Sequence, residues 1–342
     1  MKKLLLAATV LTLAACAGET TAPSATATAI TRNSDLVSAF SLVPCVFTTT
    51  GTTETLSANC VTDVTILVPN GMTLDGHGHS ITGVDPAAGH FVGAVVLNAN
   101  SVAYVKNLTV TVNGLADVCD DGAPRLRGIM FDGASGSIKN NKVIDLRQNG
   151  SGCQEGNSIE VRNPPFDGTH PATKFVEVAN NTITGFMKTG IVVNGDVNGN
   201  VHNNVVGPSA NQANLAANSI QFAFGAMGKV TSNKIAGNQW CGLEPVDDGT
   251  GLLLFSADGV NVSNNTFTDN ADIGIYVSGL GNIVSNNKVF DDNSIPDCNA
   301  SGDDFGIYNN GTSSSFTNNV VGGFTTPYTN VTGKGNKVRP TK

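Results

Sequence analysis

The sequence predicts an all-β solenoid, a stack of similar coils, and three observations support this. The 342 residues include 39 glycines but only 13% charged residues, which disfavours helices because glycine is a poor helix former and lysine and glutamate are scarce. A short apolar motif recurs about every 30 residues, as expected of a solenoid. An asparagine-rich motif follows each copy. Disorder is excluded because 40% of the residues are apolar.

The first motif is a glycine or serine followed by an aliphatic anchor residue. The anchor and the residue two positions later lie on one side of a β-strand, and the residue between them points to the other side. We therefore expect one short strand per coil, with a buried side and a wet side. The seven anchors are Ile129, Ile159, Ile191, Ile220, Leu252, Ile275 and Ile307.

The second motif, usually Asn-Asn, has apolar residues three positions before and two positions after its marker asparagine. Asparagine tolerates the left-handed conformation that tight turns need. Its amide can also bond the equivalent asparagine of the next coil, which forms a ladder. A ladder is expected along Asn141, Asn181, Asn204, Asn233, Asn265, Asn287 and Asn319.

These repeats resemble the G-I-x-x…N-N-x-I repeats of the right-handed parallel β-helix proteins of the pectin-lyase-like superfamily. Residues 74–81 (LDGHGHSI) are similar to the first-coil signature of that superfamily. The resemblance covers about residues 60–338 and implies a right-handed, single-stranded parallel β-helix of about 9–10 coils. It says little about function, because the superfamily includes lyases, hydrolases, epimerases and non-catalytic surface proteins. A leucine-rich repeat is disfavoured because the L-x-x-L-x-L frame is absent.

The N-terminus is typical of an exported protein. A basic start precedes an apolar stretch, Leu4–Leu13, that is too short to span a bilayer but suits a signal peptide. Leu13-Ala14-Ala15-Cys16 resembles the bacterial lipobox, which implies lipidation of Cys16 and anchoring in the cell envelope, at the outer membrane or cell surface. The predicted division is a signal peptide (1–15), a Thr/Ala-rich tether (16–33), a β-helix domain with an N-terminal cap (34–338) and a tail (339–342).

The longest segments of the repeats come just before the first strand of each coil. Loops that enter at one corner of successive coils rise from one flank of the solenoid. We expect them to wall a groove over the first-strand face. The long segments are residues 113–127, 145–157, 207–218, 236–250 and 291–305.

Apart from Cys16 there are six cysteines, an even number that suits disulfides in an oxidising compartment. Fifteen connectivities are possible for six cysteines. The coil arrangement places Cys119 and Cys153 in long loops of neighbouring coils and Cys241 and Cys298 in long loops two coils apart, while Cys45 and Cys60 lie near the N-terminal cap. We therefore predict the pairs Cys45–Cys60, Cys119–Cys153 and Cys241–Cys298.

The candidate catalytic residues are Arg127, Asp132, Glu160 and Arg162, which lie on the two coils tied by the predicted Cys119–Cys153 bridge. Asp132 and Glu160 are expected roughly 7–8 Å apart on a diagonal, which suits glycoside hydrolysis. In a lyase, the two arginines would instead bind a uronate carboxylate. A third interpretation is structural, with Asp132 and Arg162 as an ion pair.

Aromatic residues supply candidate substrate contacts. Trp240 either stacks on a sugar ring or plugs its own loop, and Tyr276 and Tyr308 form either a sugar platform or an ordinary aromatic ladder. The loop carboxylates of residues 247–248 and 303–304 are candidate Ca²⁺ ligands, although Ca²⁺ needs six to eight oxygens. No other cofactor is expected.

The predicted function is binding of a polysaccharide on one solenoid face, with cleavage by a lyase or hydrolase mechanism left open. The alternative is a non-catalytic surface adhesion or scaffold protein. A formal net charge of -8 disfavours nucleic acid as a partner. The chain is expected to be a monomer that contacts the membrane through its lipid anchor.

Overall fold

The computed structural model describes residues 42–148, 153–210, 215–242, 248–268, 271–292 and 303–339, and every regular element in them is a β-strand. Within these ranges no helix could cross a membrane. The strands in chain order are β1 (Phe47–Thr50), β2 (Thr53–Leu56), β3 (Cys60–Thr62), β4 (Ile66–Val68), β5 (Thr73–Asp75), β6 (Ser80–Gly83), β7 (Ala94–Asn98), β8 (Val102–Lys106), β9 (Thr109–Val112), β10 (Arg127–Asp132), β11 (Ser135–Lys139), β12 (Lys142–Ile144), β13 (Asn157–Asn163), β14 (Lys174–Ala179), β15 (Thr182–Thr184), β16 (Thr189–Gly195), β17 (Val197–His202), β18 (Val205–Val206), β19 (Asn218–Ala223), β20 (Met227–Thr231), β21 (Lys234–Ala236), β22 (Thr250–Phe255), β23 (Asn261–Ser263), β24 (Thr266–Thr268), β25 (Ile273–Val277), β26 (Ile283–Ser285), β27 (Lys288–Phe290), β28 (Phe305–Asn309), β29 (Ser315–Thr317), β30 (Val320–Gly322), β31 (Thr326–Thr329) and β32 (Lys337–Val338).

Successive strands belong in turn to three long sheets, which we call face 1, face 2 and face 3. Face 1 contains ten strands, from β4 to β31, and faces 2 and 3 contain eleven each, beginning at β1 and β3. Neighbouring strands are parallel, except in the antiparallel β1–β2 hairpin. The chain is therefore a right-handed parallel β-helix, and the predicted fold class is confirmed. We name the three edges of the solenoid after the faces that the chain joins there: 1–2, 2–3 and 3–1.

The anchor residues stack in register along the interior of face 1. Ile129 pairs with Ile159, which pairs with Ile191, and the register continues to Ile307. All seven anchors are fully buried. Burying an aliphatic side chain of this size contributes about 1.5–3 kcal/mol. Each coil therefore depends on its neighbours to cover its interior.

The predicted asparagine ladder is present at the 2–3 edge. In each step the side-chain nitrogen of one asparagine donates to the side-chain oxygen of the next, as from Asn181 to Asn204 and from Asn204 to Asn233, both at 3.0 Å. The residue before each ladder asparagine has a positive φ, for example 55° at Asn203. Asparagine suits that position because it tolerates the left-handed region.

Two of the three predicted disulfides are confirmed. Cys45–Cys60 ties the segment before β1 to face 3, and Cys119–Cys153 joins loops of neighbouring coils at the 3–1 edge. Cys298 lies outside the described residues, so the third pair stays a prediction. The same holds for the predicted signal peptide, Cys16 and the tether.

The expected position of the long loops is right in part. Long segments do enter face 1 at the 3–1 edge. However, residues 164–173, between β13 and β14, form a second long segment at the 1–2 edge, where the next coil uses the single residue Asp196. The expectation that chain-length variation sits at one edge only is therefore wrong.

Candidate functional site

The expected groove over face 1 is largely filled. We call the outward side chains between each anchor and the residue two positions later the central row. Its residues are only 2–6% exposed from the third to the eighth coil. The prediction of an open groove on this face is therefore wrong from the third to the eighth coil. The row runs through Met130, Glu160, Val192, Gln221, Leu253 and Tyr276.

Arg127 and Glu160 form a buried ion pair at the upstream end of this covered surface. Arg127 Nε lies 2.6 Å from Glu160 Oε2, and the two residues are 2% and 3% exposed. Arg127 Nη1 also donates to the backbone carbonyl of Arg125 at 2.8 Å. The pair therefore fastens the loop before β10 onto face 1.

The environment of Glu160 keeps its carboxylate ionised. Burial by itself raises the pKa of Glu160, but the charge of Arg127 and hydrogen bonds from Arg127 and Asn157 outweigh burial and lower it. Asn157 donates to the same Oε2 atom at 2.9 Å. A carboxylate held in this way is poorly suited to act as a general acid, which must carry a proton at working pH.

The second predicted pair lies nearer the surface. Asp132 and Arg162 are register neighbours on β10 and β13, and Arg162 donates to Asp132 Oδ2 at 3.0 Å. The Asp132 side chain is 41% exposed. The structure thus brings all four predicted catalytic residues together, but as two ion pairs. Their catalytic role stays a prediction.

Glu155 connects two successive loops on the covered side of face 1. Its carboxylate is completely buried and accepts hydrogen bonds from the backbone amides of Leu126 and Asp120, which belong to the preceding coil. Burial raises the pKa of Glu155 despite these bonds. Together with Cys119–Cys153, this carboxylate holds two successive loops against each other.

In the described part of the downstream half of face 1, apolar and aromatic side chains pack over the strands. The rings of Tyr276 and Tyr308 stack with centroids 5.5 Å apart and an interplanar angle of 8°. Tyr276 is only 4% exposed, Asn310 donates to its hydroxyl at 3.2 Å, and burial raises its pKa. The stack has the geometry of an aromatic ladder; its predicted role in substrate binding stays a prediction.

Trp240 lies at the 3–1 edge and is half-buried. Its backbone amide donates to Asp272 at 2.6 Å. A Cβ atom on Gly242 would lie 2.0 Å from the indole, so the ring packs closely on the backbone of its own loop. This contact favours the interpretation of Trp240 as a plug, and its role as a sugar-stacking residue stays a prediction.

Two of the candidate Ca²⁺ ligands are in contact. The Asp303 side chain is hydrogen-bonded to Asp248, and burial raises the pKa of Asp303. Burial therefore favours the neutral form of the Asp303 carboxyl group. Within the described ranges no group of three or more His, Cys, Asp and Glu residues converges as a metal site, and residue 247 lies outside those ranges. Ca²⁺ binding stays a prediction.

An open cleft occupies the opposite side of face 1, at the 1–2 edge. Its volume is about 650 Å³. Three phenylalanine rings form one wall, and two carboxylates and short polar side chains surround them. The residues with side chains in the lining include Phe166, Phe224, Phe255, Asp167, Asp258, Leu280, Asn310 and Thr312.

The second long segment builds the wall of this cleft. Residue 196 anchors it: Asp196 accepts the backbone amide of Ala172 at 2.7 Å and contacts the His170 ring at 3.2 Å. At its tip, Gly168 packs on Gly225, where a Cβ atom would lie 2.5 Å from the Gly168 Cα. A glycine at position 225 therefore permits the loop to approach and also suits the positive φ of 83° there.

The three rings of the wall touch one another in edge-on and tilted geometry. The centroids of Phe166 and Phe224 are 5.9 Å apart, and those of Phe224 and Phe255 are 5.7 Å apart. Phe224 has a φ of 59°, a region that bulky residues rarely adopt. Strained residues of this kind cluster at ligand-binding sites.

The cleft was not predicted from the sequence. Phe224 directly follows the first strand β19, and Phe255 ends the first strand β22 of the next coil, so two phenylalanines near the ends of successive first strands were a usable signal. No sequence signal pointed to Phe166, because its position depends on how residues 164–173 fold back over the edge. The sequence argument searched only the segments before the first strands.

Comparison with known proteins agrees with the fold. Residues 169–339, half of the chain, match the family described as "Right handed beta helix region". The chain therefore belongs to the right-handed β-helix family. A search of curated protein sequences finds no match.

Solved structures of similar shape include the Dettilon tailspike protein, at 9% identity and a TM-score of 0.43 over 84% of this chain. DFA-IIIase from Arthrobacter chlorophenolicus A6 in complex with GF2 is 16% identical, with a TM-score of 0.42 over 82% of this chain and 75% of its own length. The chain spans 61% of the length of the tailspike protein. At this level of similarity we draw no conclusion about activity from these structures.

Proposed function

We propose that this protein binds a polysaccharide in the cleft at the 1–2 edge. The observation that carries the proposal is the wall of three phenylalanine rings, partly exposed beside two carboxylates. Aromatic rings offer large apolar contact surfaces, which suit the C–H faces of sugar rings. Carboxylate, amide and hydroxyl groups around such a wall supply the few oriented polar contacts that fix a ligand.

The register of face 1 places further outward residues upstream of the cleft along the same edge, where Ala223, which is fully buried, separates the cleft from the polar part of the row. The outward residues nearest the 1–2 edge continue upstream from Phe255, and neighbouring strands are about 4.8 Å apart, so five coils span roughly 19 Å. Polar groups occupy the upstream part and apolar groups the downstream part. The row consists of Asp132, Arg162, Asn194, Ala223 and Phe255.

Binding without cleavage has the stronger support. Glu160 is buried in an ion pair, and Asp248 and Asp303 are in hydrogen-bond contact. Glycosidases instead hold their two carboxyl groups about 5–5.5 Å or about 6.5–9.5 Å apart. Cleavage remains a second candidate because one observation favours it: Asp132 is exposed beside Arg162 at the same edge as the cleft.

The test is a panel of neutral and acidic polysaccharides, with and without Ca²⁺, that measures both affinity and release of new reducing or unsaturated ends. We expect binding to at least one member of the panel and no product. Phe255→Ala should weaken that binding about tenfold or more, as expected for a buried contact residue. Phe175→Ala is the matched control, because Phe175 is 63% exposed on face 2.

Two results contradict the proposal. One is a panel without any binding by the folded protein. The other is equal loss of affinity in Phe255→Ala and Phe175→Ala. Product that appears with the wild type and vanishes with Asp132→Asn would establish the second candidate, and product lost only with Glu160→Gln would restore the catalytic centre predicted from the sequence.

We also propose that the protein acts outside the cytoplasm, anchored in the membrane by lipid on Cys16. The lipobox-like Leu13-Ala14-Ala15-Cys16 supports the anchor, and the two disulfides support an oxidising compartment. Mass spectrometry of the membrane-bound protein is expected to find the acyl chains on Cys16. A Cys16→Ser variant that stays in the membrane fraction would contradict the anchor.

A further inference from the structure

Face 3 carries a row of lysines that no feature described above uses. From β9 onward, face 3 strands begin with an outward side chain, and the register aligns these first residues from coil to coil. Four of them are exposed lysines. The row runs through Thr109, Lys142, Thr182, Val205, Lys234, Thr266, Lys288, Val320 and Lys337.

The charge on this face has one sign. The face 3 strands contain lysine but neither aspartate nor glutamate, and within the described ranges none of the four lysines forms an ion pair. Face 2 differs, because its Lys106 and Lys139 pair with Asp75 and Glu177 at 3.1 and 2.6 Å. The contrast stands out in a chain whose formal net charge is -8.

The spacing of the row is regular over its downstream half. Lys234, Lys288 and Lys337 occupy every second coil, so their strands are about 9.6 Å apart, twice the inter-strand distance. Thr266 and Val320 lie between them and present short side chains. The result is a straight, low ridge of positive charges parallel to the solenoid axis.

We propose that face 3 binds a linear polyanionic polysaccharide, carboxylated or sulfated, laid along the solenoid axis. A single row of charges complements a chain with negative charges at regular intervals, whereas a membrane surface would engage a patch several rows wide. Proteins that bind single-stranded nucleic acid add aromatic side chains on which bases stack, and the described part of this row contains none. The site is separate from the cleft, on another face.

The test measures affinity for dextran sulfate and carboxymethylcellulose as a function of salt, with neutral dextran as the uncharged control. We expect Lys234→Gln/Lys288→Gln to reduce the slope of log affinity against log salt by about two, since each lysine that contacts a polyanion releases about one counterion. Lys174→Gln/Lys229→Gln removes the same charge from face 2 and should leave the slope unchanged.

The proposal would be overturned if both double variants reduced the salt slope equally, or if neutral dextran bound as tightly as dextran sulfate. Tighter binding to single-stranded DNA or to phosphatidylglycerol vesicles than to either polyanion would also overturn it. Phe255→Ala should not change binding to dextran sulfate. Failure of the cleft proposal therefore leaves this result interpretable, and failure of this proposal leaves the cleft untouched.

Discussion

The two sides of face 1 differ in what their side chains do. Toward the 3–1 edge, Arg127 and Glu160 are paired beneath a loop that Cys119–Cys153 and Glu155 hold in place. Toward the 1–2 edge, Phe166, Phe224 and Phe255 border an open cleft. The buried charged residues Arg127, Glu160 and Glu155 lie on the covered side, whereas the partly exposed phenylalanines and the exposed Asp132 lie toward the other edge. A catalytic role inferred from residue type alone therefore has to be checked against the exposure of the side chain.

The largest expected effect is on the covered side. Glu160→Gln leaves the Arg127 guanidinium buried without its counter-charge, and breaking a buried pair costs about 3–5 kcal/mol. Urea unfolding should show this loss of free energy of unfolding. Glu177→Gln is the control, because the Lys139–Glu177 pair is 36% exposed at both partners and should cost less than about 1 kcal/mol. Equal costs would contradict the assignment of Glu160 to stability.

The disulfide over the same side should rank next. Replacing Cys119 and Cys153 by alanine removes a bridge between residues 34 positions apart, and the expected loss of stability is about 2–4 kcal/mol. Polysaccharide affinity should not change, because the cleft lies at the other edge. A variant that stays as stable as the wild type but loses affinity would place the ligand on the covered side instead.

A substitution on the cleft side should lower affinity more than stability. Phe224→Gly removes the central ring of the wall, and we expect a 10- to 30-fold loss of affinity, about 1.4–2 kcal/mol. The cost in stability should be at most about 2 kcal/mol, because two lost ring contacts of about 0.5–1.5 kcal/mol each are offset in part by relief of the left-handed φ, about 1–2 kcal/mol.

The control for this variant is Asn203→Gly, which has a similar φ of 55° at the 2–3 edge and should keep full affinity. Calorimetric titration and urea unfolding measure both quantities. Unchanged affinity in the Phe224→Gly protein would contradict the assignment of the aromatic wall to the binding site.

Asp132→Asn should give the smallest effect on stability. The Asp132 side chain is 41% exposed although that of Arg162 is only 10% exposed. Because Arg162 has further interactions and Asp132 reaches solvent, we expect a loss of about 1 kcal/mol, the upper end for exposed pairs. A loss above about 2 kcal/mol in urea unfolding would show that this pair, too, belongs to the structural side.

The sequence predicted the fold because every coil repeats the same physical requirements. The buried anchors from Ile129 to Ile307 and the asparagine ladder recur with one period, and the Asp132–Arg162 neighbours followed from that register. Whether a loop covers a face or leaves it open is not periodic. It depends on contacts such as Glu155 with the preceding loop and Gly168 with Gly225, which join residues distant in sequence.

The central claim is that a polysaccharide contacts the 1–2 edge and not the covered row of face 1. Hydroxyl-radical footprinting with mass spectrometry, with and without a polysaccharide that binds, tests it directly in the unmodified protein. The account predicts protection of Phe166, Phe224 and Phe255 with no change at Trp240, which lies at the 3–1 edge. Protection of Trp240, with the three phenylalanines unchanged, would contradict it.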